Sequence, residues 1–353
     1  MQLTTIRANK LKPKPDESRL GFGFYFADHM FNMDYTPEKG WHAPRIEPHG
    51  AIKMDPASMV LHYGQAVFEG LKAYRTDSGN IQLFRPRDNF RRMNHSCRIL
   101  CIPEFDEEFV LEALKELINI EKDWVPHTPQ TSLYIRPAII AVDPFLGLRS
   151  SHTYRFYIIL SPVGAYYAEG FNPIKIMACR DHVRAVPGGT GEAKTPGNYA
   201  ASLLAGQQAK DKGYSQVLWL DGIEHKYIEE VGAMNIFFVI DNELVTPALD
   251  GSVLSGITRD SVLQLAEMWN IKTSERKISI EKVLEANESG GLQEVFGSGT
   301  AAVISPVGKI KYGDQEITIN DMQVGPLTDR LFRAITGIQY GKAQDPRGWI
   351  EPV

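Results

Sequence analysis

The stretch IEEVGAMN at residues 228–235 runs directly into the apolar stretch IFFVI at residues 236–240. The second stretch contains only β-branched and aromatic residues, so it is predicted to form a buried strand. Glu230 therefore stands at the mouth of a buried element, where a carboxylate is costly unless a positive group meets it. Adjacent residues of a strand point in opposite directions, so Glu230 is predicted to face inward and Glu229 to be solvated.

A glycine-rich stretch upstream, GTGEAKTPGNY at residues 189–199, contains one lysine, Lys194. A lysine alone in a loop is usually solvated. Paired with a buried carboxylate at another element boundary, however, it matches what a pyridoxal phosphate enzyme requires. In such enzymes the lysine carries the cofactor as a Schiff base, and the acid keeps the pyridine nitrogen protonated. Tyr199 follows five residues later and could reach the ring oxygen of the cofactor, although a lone tyrosine more often serves packing.

Length and composition limit the class of protein. The chain has 353 residues, which predicts two domains, and it is 43% hydrophobic and 23% charged, as in ordinary globular proteins. The net charge of -5 argues against a nucleic-acid partner. No signal peptide or membrane span is predicted, and the three cysteines suit neither a disulfide framework nor a metal site. The expected location is the cytoplasm.

Strands and helices alternate along the chain, which predicts an α/β (α+β) protein. The predicted domains are residues 1–163 and 174–353, joined by an interdomain loop at 164–173 and with Lys194 in the second. Asn198 and Ser255 are predicted to cap helices, and Gly213 to end the first of these. The strands are predicted at 20–26, 81–84, 132–139, 154–159, 174–178 and 217–220, and the helices at about 88–100, 110–118, 198–212, 256–269 and 327–339.

Phosphate donors are the next requirement of such a cofactor. The stretch LSGITR at residues 254–259 leads into a predicted helix, and the amides of Ile257 and Thr258 would point at an anion there. The turn GSGTA at residues 297–301 offers further amides and hydroxyls, although such turns are common. Neither stretch fits the dinucleotide fingerprint, which disfavours an NAD-dependent enzyme. An arginine should complete the phosphate site, and spacing alone does not choose among Arg85, Arg87, Arg91, Arg92 and Arg98.

Ten short motifs along the chain resemble those of the branched-chain amino-acid aminotransferases. The resemblance extends in the same order from about Phe22 to Gly341. The motifs are LHY (61–63), FEGLKAY (68–74), LFRP (83–86), SLYIRP (132–137), SPVGAY (161–166), GNY (197–199), QVLWL (216–220), EVG (230–232), FGSGTA (296–301) and IQYG (338–341).

This resemblance implies a fold-type IV pyridoxal phosphate enzyme. It implies a small α/β domain and a larger pseudo-barrel domain with the cofactor between them, and a homodimer in which the neighbour's small domain helps to close each site. By motif, Lys194 corresponds to the catalytic, cofactor-bearing lysine. The other cofactor-binding positions are Arg92, Tyr199, Glu230, Ile257, Thr258 and Thr300. The substrate-binding positions are Phe22, Tyr63, Phe68, Tyr134, Arg136, Tyr166, Thr300 and Ala301.

The activity implied is transfer of the amino group between L-leucine, L-isoleucine or L-valine and 2-oxoglutarate. Amino acids and 2-keto acids are thus the expected small-molecule partners, with no metal. Two kinds of rival remain. A D-amino-acid aminotransferase or an aminodeoxychorismate lyase would share the lysine, the glutamate and the phosphate elements. A non-catalytic protein on the same fold would be expected to lack Lys194 or Glu230, and both are present.

Overall fold

The computed structural model describes residues 1–164 and 170–353. These residues form eighteen β-strands and eight α-helices. The strands are β1 (Thr4–Thr5), β2 (His29–Thr36), β3 (Gly40–Pro48), β4 (Ala66–Phe68), β5 (Leu71–Arg75), β6 (Ile81–Phe84), β7 (Ser132–Ala141), β8 (Tyr154–Val163), β9 (Ile174–Ala178), β10 (Gln216–Leu220), β11 (Ile228–Val231), β12 (Met234–Ile240), β13 (Glu243–Thr246), β14 (Thr273–Glu275), β15 (Leu292–Gly299), β16 (Val303–Tyr312), β17 (Gln315–Thr318) and β18 (Ile350–Pro352). The helices are α1 (Met59–Tyr63), α2 (Pro86–Ile99), α3 (Glu107–Ile120), α4 (Pro196–Ala200), α5 (Leu203–Asp211), α6 (Ile257–Met268), α7 (Ile280–Glu288) and α8 (Pro326–Gln339).

The described chain divides into two compact units, and each is built on its own nine-stranded sheet. The first unit comprises residues 1–164, 193–196 and 337–353, and the second comprises 170–192 and 197–336. The mixed α/β class predicted from the sequence is confirmed. The predicted domain ranges remain a prediction. The two compact units differ from these ranges because the short segment with Lys194 and the C-terminal segment belong to the first unit.

The first unit's sheet has the strand order β1-β3-β2-β8-β7-β5-β6-β18, with β4 added on β7. Helices α2 and α3 share a hydrophobic core with one face of this sheet. Helix α3 begins where the Asp106 carboxylate accepts a hydrogen bond from the amide of Phe109 at 3.0 Å, an N-terminal cap. Burying each large apolar side chain here stabilises the unit by about 1.5–3 kcal/mol. The buried residues of α3 are Val110, Leu111, Ala113, Leu114, Leu117 and Ile118.

The opposite face of this sheet carries the polar side chains. Along β7, Leu133 and Ile135 lie in the core, so the alternating residues Tyr134 and Arg136 point to the other side. The register then places neighbouring side chains on that side too, since Lys72 of β5 and Ser161 of β8 both pair with Tyr134. We call this surface the Tyr134 face. Its members include Phe68, Lys72, Tyr134, Arg136, Tyr157 and Ser161.

The second unit contains a closed ring of six strands. The order β11-β10-β9-β16-β15-β12 is completed by the pairing of β12 with β11, and β13, β14 and β17 extend the sheet outside the ring. Strands β10 and β12 are almost wholly buried, as their largely apolar sequences require, whereas in β9 buried residues alternate with more exposed ones such as Lys175. The predicted pseudo-barrel of the larger domain corresponds to this ring.

Three local predictions were wrong. Residues 20–26 form a turn and not a strand, because Gly21 and Gly23 have φ of +60° and +81°, a region that glycine adopts readily. The helix predicted for 198–212 begins at Pro196 and is interrupted between α4 and α5, and Asn198 is not its cap. Helix α6 is capped by Gly256 and not by Ser255.

The cysteine side chains are free, and only Cys97 of the pair Cys97 and Cys101 lies in a helix; Cys101 follows α2 with φ of +53°. Among the described residues, no cluster of three or more metal-ligating side chains occurs. No helix in the described ranges combines the length and the apolar character that crossing a bilayer requires.

Candidate functional site

Lys194 lies on an extended segment of the first unit that is tied to its sheet. The amide of Lys194 donates to the Ser96 hydroxyl of α2 at 2.9 Å, and its carbonyl accepts from the amide of Phe68 at 3.0 Å. The next residue, Thr195, donates its hydroxyl to the Ala66 carbonyl at 2.9 Å. These bonds position the side chain of Lys194, and its ammonium lies 5.1 Å from the ring centre of Phe68.

The predicted substrate residues Phe22, Phe68, Tyr134 and Arg136 come together on the Tyr134 face. The guanidinium of Arg136 donates to the Tyr134 hydroxyl at 3.0 Å and lies 4.8 Å from the Phe68 ring centre. The Phe22 ring packs edge-on against Tyr134, with ring centres 4.9 Å apart. The buried Nε of Arg136 has no hydrogen-bond partner among the described residues. An arginine walled by aromatic rings can accept both an alkyl chain and a carboxylate.

Gly70 makes room for this arrangement. A Cβ atom on Gly70 would overlap the hydroxyl of Tyr134, so any other residue would displace the tyrosine from Arg136. The glycine of the FEGLKAY motif is thus required by a side chain 64 positions away in sequence, which spacing alone does not reveal.

Of the six residues predicted to wall the substrate pocket, Tyr63 is not in this cluster and Tyr166 cannot be described. Tyr63 lies at the end of α1, is 42% exposed, and donates its hydroxyl to the Leu146 carbonyl. Tyr166 lies outside the described residues. The structure therefore brings together four of the six residues predicted to wall the substrate pocket.

Arg92 of α2 is held by Glu69, a residue that the sequence did not single out. Its Nε and Nη2 donate to the two oxygens of Glu69 at 2.7 and 2.9 Å, a paired geometry typical of arginine and carboxylate. Glu69 also accepts from Asn89 at 2.8 Å. Burial by itself would raise the pKa of Glu69, but the charges of Arg92 and Lys194 and the Asn89 amide outweigh it and lower that pKa. The orientation of Arg92 is therefore set by a fully buried anion.

Glu230 of β11 is 3% exposed, as the sequence predicted. The positive group beside it is Arg184, whose Nε lies 3.0 Å from Oε2 of Glu230. This contact is a charge pair without hydrogen-bond alignment, since the N–H of that nitrogen is not directed at the oxygen. The other oxygen of Glu230 accepts from the amide of Leu254 at 2.8 Å. Both interactions favour the ionised carboxylate.

Glu229 is also 3% exposed, so the prediction that it is solvated was wrong. Ser252 covers it, and its hydroxyl donates to one oxygen of Glu229. Burial raises the pKa of Glu229 to about 7, against the hydrogen bond from Ser252 and the charge of Arg184, while Asp250 and Glu230 reinforce the rise. Arg184 thus acts on two neighbouring buried carboxylates, those of Glu229 and Glu230.

This raised pKa predicts a pH-dependent stability. Between about pH 4.3, the ordinary glutamate value, and pH 7, the folded protein keeps a proton on Glu229 that the unfolded chain loses. Stability therefore falls as the pH rises through this window. We expect Glu229→Gln, which cannot titrate, to gain about 1–3 kcal/mol in unfolding free energy relative to wild type between pH 5 and pH 8. Urea unfolding at both pH values measures this, with Glu281→Gln on the surface of α7 as the control. A difference in unfolding free energy between Glu229→Gln and wild type that is the same at both pH values would contradict this prediction.

The predicted phosphate donors Ile257 and Thr258 are the first two residues of α6, and both are buried. The cap, Gly256, has an extended backbone and contributes no side chain to the helix terminus. A helix N-terminus presents backbone amides and a partial positive charge, so this position is suited to an anion. Thr300 and Ala301 lie in the turn that joins β15 to β16.

Tyr199 lies in α4 and is partly buried. The same helix holds the glycine-rich stretch through Asn198, whose amide group donates to the Thr190 carbonyl at 2.7 Å and accepts from the Thr190 hydroxyl at 2.8 Å. Asn198 therefore organises the stretch before Lys194 instead of capping a helix.

These donors match the chemistry of pyridoxal phosphate. Within the first unit, Lys194 offers an amine that can react with an aldehyde, and Arg92 is an arginine that can bind a phosphate. Within the second unit, Glu230 is a buried carboxylate with a cationic partner, and α6 has a glycine-capped N-terminus. A buried carboxylate on the pyridine nitrogen and amides on the phosphate are the groups that this cofactor needs.

Comparison with known proteins gives the family. The model of the amino-transferase class IV family matches residues 66–310. Branched-chain-amino-acid aminotransferase 2 of Bacillus subtilis is 58% identical over 342 residues, which cover 97% of this chain and 94% of that protein. The chain belongs to the branched-chain amino-acid aminotransferases. The resemblance found in the motifs is thereby confirmed.

Solved structures of this aminotransferase family agree with the fold. The crystal structure of the Escherichia coli branched-chain amino acid aminotransferase superposes with a TM-score of 0.77 at 31% identity, covering 92% of this chain and 98% of that one. The branched-chain aminotransferase from the thermophilic archaeon Thermoproteus uzoniensis, solved with norvaline, has a TM-score of 0.75 at 26% identity, covering 92% and 99%. The predicted fold type is confirmed.

Three residues with contacts to the predicted site escaped the sequence analysis: Glu69, Arg184 and Asn235. Glu69 and Asn235 lie inside stretches already quoted, FEGLKAY and IEEVGAMN, at the end and the beginning of buried strands. A polar residue at such a boundary was the signal used for Glu230, and it applied equally to them. Arg184 carries no local signal, because its partners come from distant parts of the chain.

Proposed function

We propose that the protein transfers the amino group of L-leucine, L-isoleucine or L-valine to 2-oxoglutarate, and the reverse, with pyridoxal phosphate as cofactor. The observation that carries the proposal is the 58% identity to a branched-chain-amino-acid aminotransferase over 97% of the chain. The buried carboxylate beside Arg184 and the anchored Lys194 support it, because a non-catalytic relative would have no need of either.

Each residue has a proposed task in this reaction. When bound, pyridoxal phosphate supplies an electron-accepting ring that stabilises negative charge on the substrate's α-carbon. The Nζ atom of Lys194 removes the α-proton of the amino acid and later returns a proton, as general base and then acid. Glu230 keeps a proton on the pyridine nitrogen, and its ion pair with Arg184 keeps the carboxylate charged for this task.

The remaining cofactor contacts hold its two ends. Arg92, oriented by Glu69, and the amides of Ile257 and Thr258 are proposed to bind the phosphate, together with Thr300. Tyr199 is proposed to donate to the ring oxygen. Thr300 and Ala301 are proposed to bind the substrate's α-carboxylate through their amides.

One pocket has to accept both a branched alkyl chain and the side-chain carboxylate of glutamate. The rings of Phe22, Phe68 and Tyr134 offer the apolar wall, and Arg136 offers a positive charge at its edge. The unpartnered Nε of Arg136 supports a role in binding the distant carboxylate, since a buried donor without an acceptor is costly.

We further propose that the protein is a homodimer and acts in the cytoplasm. The exposed side chains of Leu61, Tyr63, Phe145, Leu146 and Leu148 support the dimer, because an apolar patch of this kind on one chain is typical of an interface. Tyr63 would then contribute to a substrate pocket from this patch. Tyr166, which lies outside the described residues, is proposed to contribute to a substrate pocket as well.

An absorbance spectrum of the purified protein tests the proposal. We expect a visible band from the lysine-bound cofactor that disappears on addition of L-leucine without any keto acid, and that returns with 2-oxoglutarate. A band that ignores L-leucine and responds to D-alanine would identify a D-amino-acid aminotransferase instead. No band, even after addition of pyridoxal phosphate, would overturn the assignment of Lys194 and Glu230.

A further inference from the structure

We propose that Asn235 is a positioning residue that fixes the first turn of α6 relative to the carboxylate of Glu230. The inference rests on the proposed function, in which Glu230 pairs with the pyridine nitrogen and the first turn of α6 binds the phosphate. Asn235 is the first polar residue of β12 and is 5% exposed.

Asn235 and Glu230 hold the same residue from two neighbouring strands. They are register partners across β11 and β12, so their side chains lie on one face of the sheet. Glu230 accepts from the amide of Leu254 at 2.8 Å, and the Asn235 amide group donates to the carbonyl of Leu254 at 2.9 Å. Both backbone polar groups of Leu254 are thus bonded to side chains of this strand pair.

The same asparagine also contacts the cap of the helix. A Cβ atom at Gly256 would overlap the side-chain oxygen of Asn235, so the backbone at the start of α6 passes directly over it. The amides of Ile257 and Thr258 follow at once. Because Leu254 and Gly256 are both held, the distance from the Glu230 carboxylate to these amides has little freedom.

That fixed distance matches the demand of a short ligand. The pyridine nitrogen is part of the ring and the phosphate is joined to the ring through one methylene group, so groups that bind both must keep a spacing within the reach of that linker. Asn235 touches neither group in this proposal. It acts by keeping the two sets of binding atoms in register, and its loss should weaken the phosphate contacts while Lys194 and Glu230 still bind the ring.

If the hydrogen bond of Asn235 served only the stability of the fold, a different result is expected. Its loss would lower the stability of the folded chain and weaken the binding of all ligands alike. Thr246 supplies the matched control, because it is 1% exposed and its hydroxyl donates to the carbonyl of Ile236, the neighbour of Asn235, at 2.8 Å. Thr246→Val removes a comparable buried bond from the same sheet without touching the Leu254–Gly256 segment.

The test compares pyridoxal phosphate with pyridoxal, which lacks the phosphate. The affinity of the full-length, cofactor-free chain for each is measured by titration of the visible band, for wild type, Asn235→Asp, Asn235→Ala and Thr246→Val. We expect both Asn235 variants to bind pyridoxal phosphate about 10-fold or more weakly, and pyridoxal within about 3-fold of wild type. If Asn235→Asp and Asn235→Ala give the same pair of affinities, the loss comes from the missing hydrogen bond and not from the charge that aspartate adds. Thr246→Val should leave the ratio of the two affinities unchanged.

Gly256→Ala disturbs the same contact by adding a Cβ atom against Asn235. It should also weaken the binding of pyridoxal phosphate more than that of pyridoxal, so the test remains valid if an Asn235 variant fails to fold. Equal weakening of both ligands, or no weakening, in the variants that fold would overturn the inference. A wild-type chain that binds neither ligand would overturn the proposed function instead, so the two failures are distinguishable.

Discussion

Replacing Lys194 by alanine is expected to abolish transamination of L-leucine, with a loss of at least about 10³-fold, since a general acid–base group alone contributes 10²–10⁴-fold. The segment that carries Lys194 is held by main-chain bonds to Ser96 and Phe68, which do not involve the side chain. The variant should therefore fold as the wild type does. Steady-state rates with L-leucine and 2-oxoglutarate give the result, and the visible band of the lysine-bound cofactor should be lost with the activity.

Lys175→Ala is the control for this substitution. Lys175 is an exposed lysine of β9, so its removal should leave both the rate and the spectrum unchanged. Transamination by Lys194→Ala near the wild-type rate would rule out the assignment of the catalytic lysine.

Replacing Glu230 by glutamine is expected to slow the reaction about 10²–10³-fold while cofactor binding remains largely intact. Glutamine retains an oxygen for the amide of Leu254 but removes the charge that faces Arg184. It also cannot hold a proton on the pyridine nitrogen as a carboxylate does. Single-turnover conversion with L-leucine, followed by absorbance, isolates the proton transfer, and α-deuterated L-leucine should slow it further.

Glu229→Gln provides the matched comparison for Glu230. The two acids are adjacent, equally buried and both near Arg184, but only Glu230 bonds to Leu254. Glu229→Gln should therefore change the pH dependence of stability far more than the rate. An unchanged rate in Glu230→Gln would remove the proposed role of this carboxylate.

Loss of the ion pair should also affect stability. Breaking a buried pair costs about 3–5 kcal/mol when the remaining charge has no other partner. Arg184 retains Glu229 and the Ser252 carbonyl, so the loss in Glu230→Gln should be smaller than that.

Local patterns were sufficient for the regular elements. The strands at 81–84 and 174–178 and the helix at about 110–118 follow directly from period and composition. The pattern was misleading where glycine, proline or a distant side chain determined the backbone. Residues 20–26 turn because of two glycines with positive φ, and the helix around Tyr199 begins at proline.

The residues of the candidate site also differ in how far the sequence alone could predict them. Lys194, Glu230 and the start of α6 each carry a local signal, because each places a chemically reactive or anion-binding group at an element boundary. The roles of the supporting residues follow only from contacts with distant parts of the chain. Glu69 matters because Arg92, 23 residues later, turns both donors toward it, and Arg184 matters because it lies beside Glu230 and the Ser252 carbonyl.

The sequence by itself determined the family, the α/β class and the identity of the residues proposed for the chemistry, since these depend on short motifs and on the spacing of apolar residues. Only the tertiary structure decided that Glu229 is buried, that Arg136 is enclosed by Phe68 and Tyr134, and that Asn235 and Glu230 hold Leu254 together. The reason is physical. Burial, charge pairing and pKa depend on which distant side chains fill the space around a group, and no local pattern contains that information.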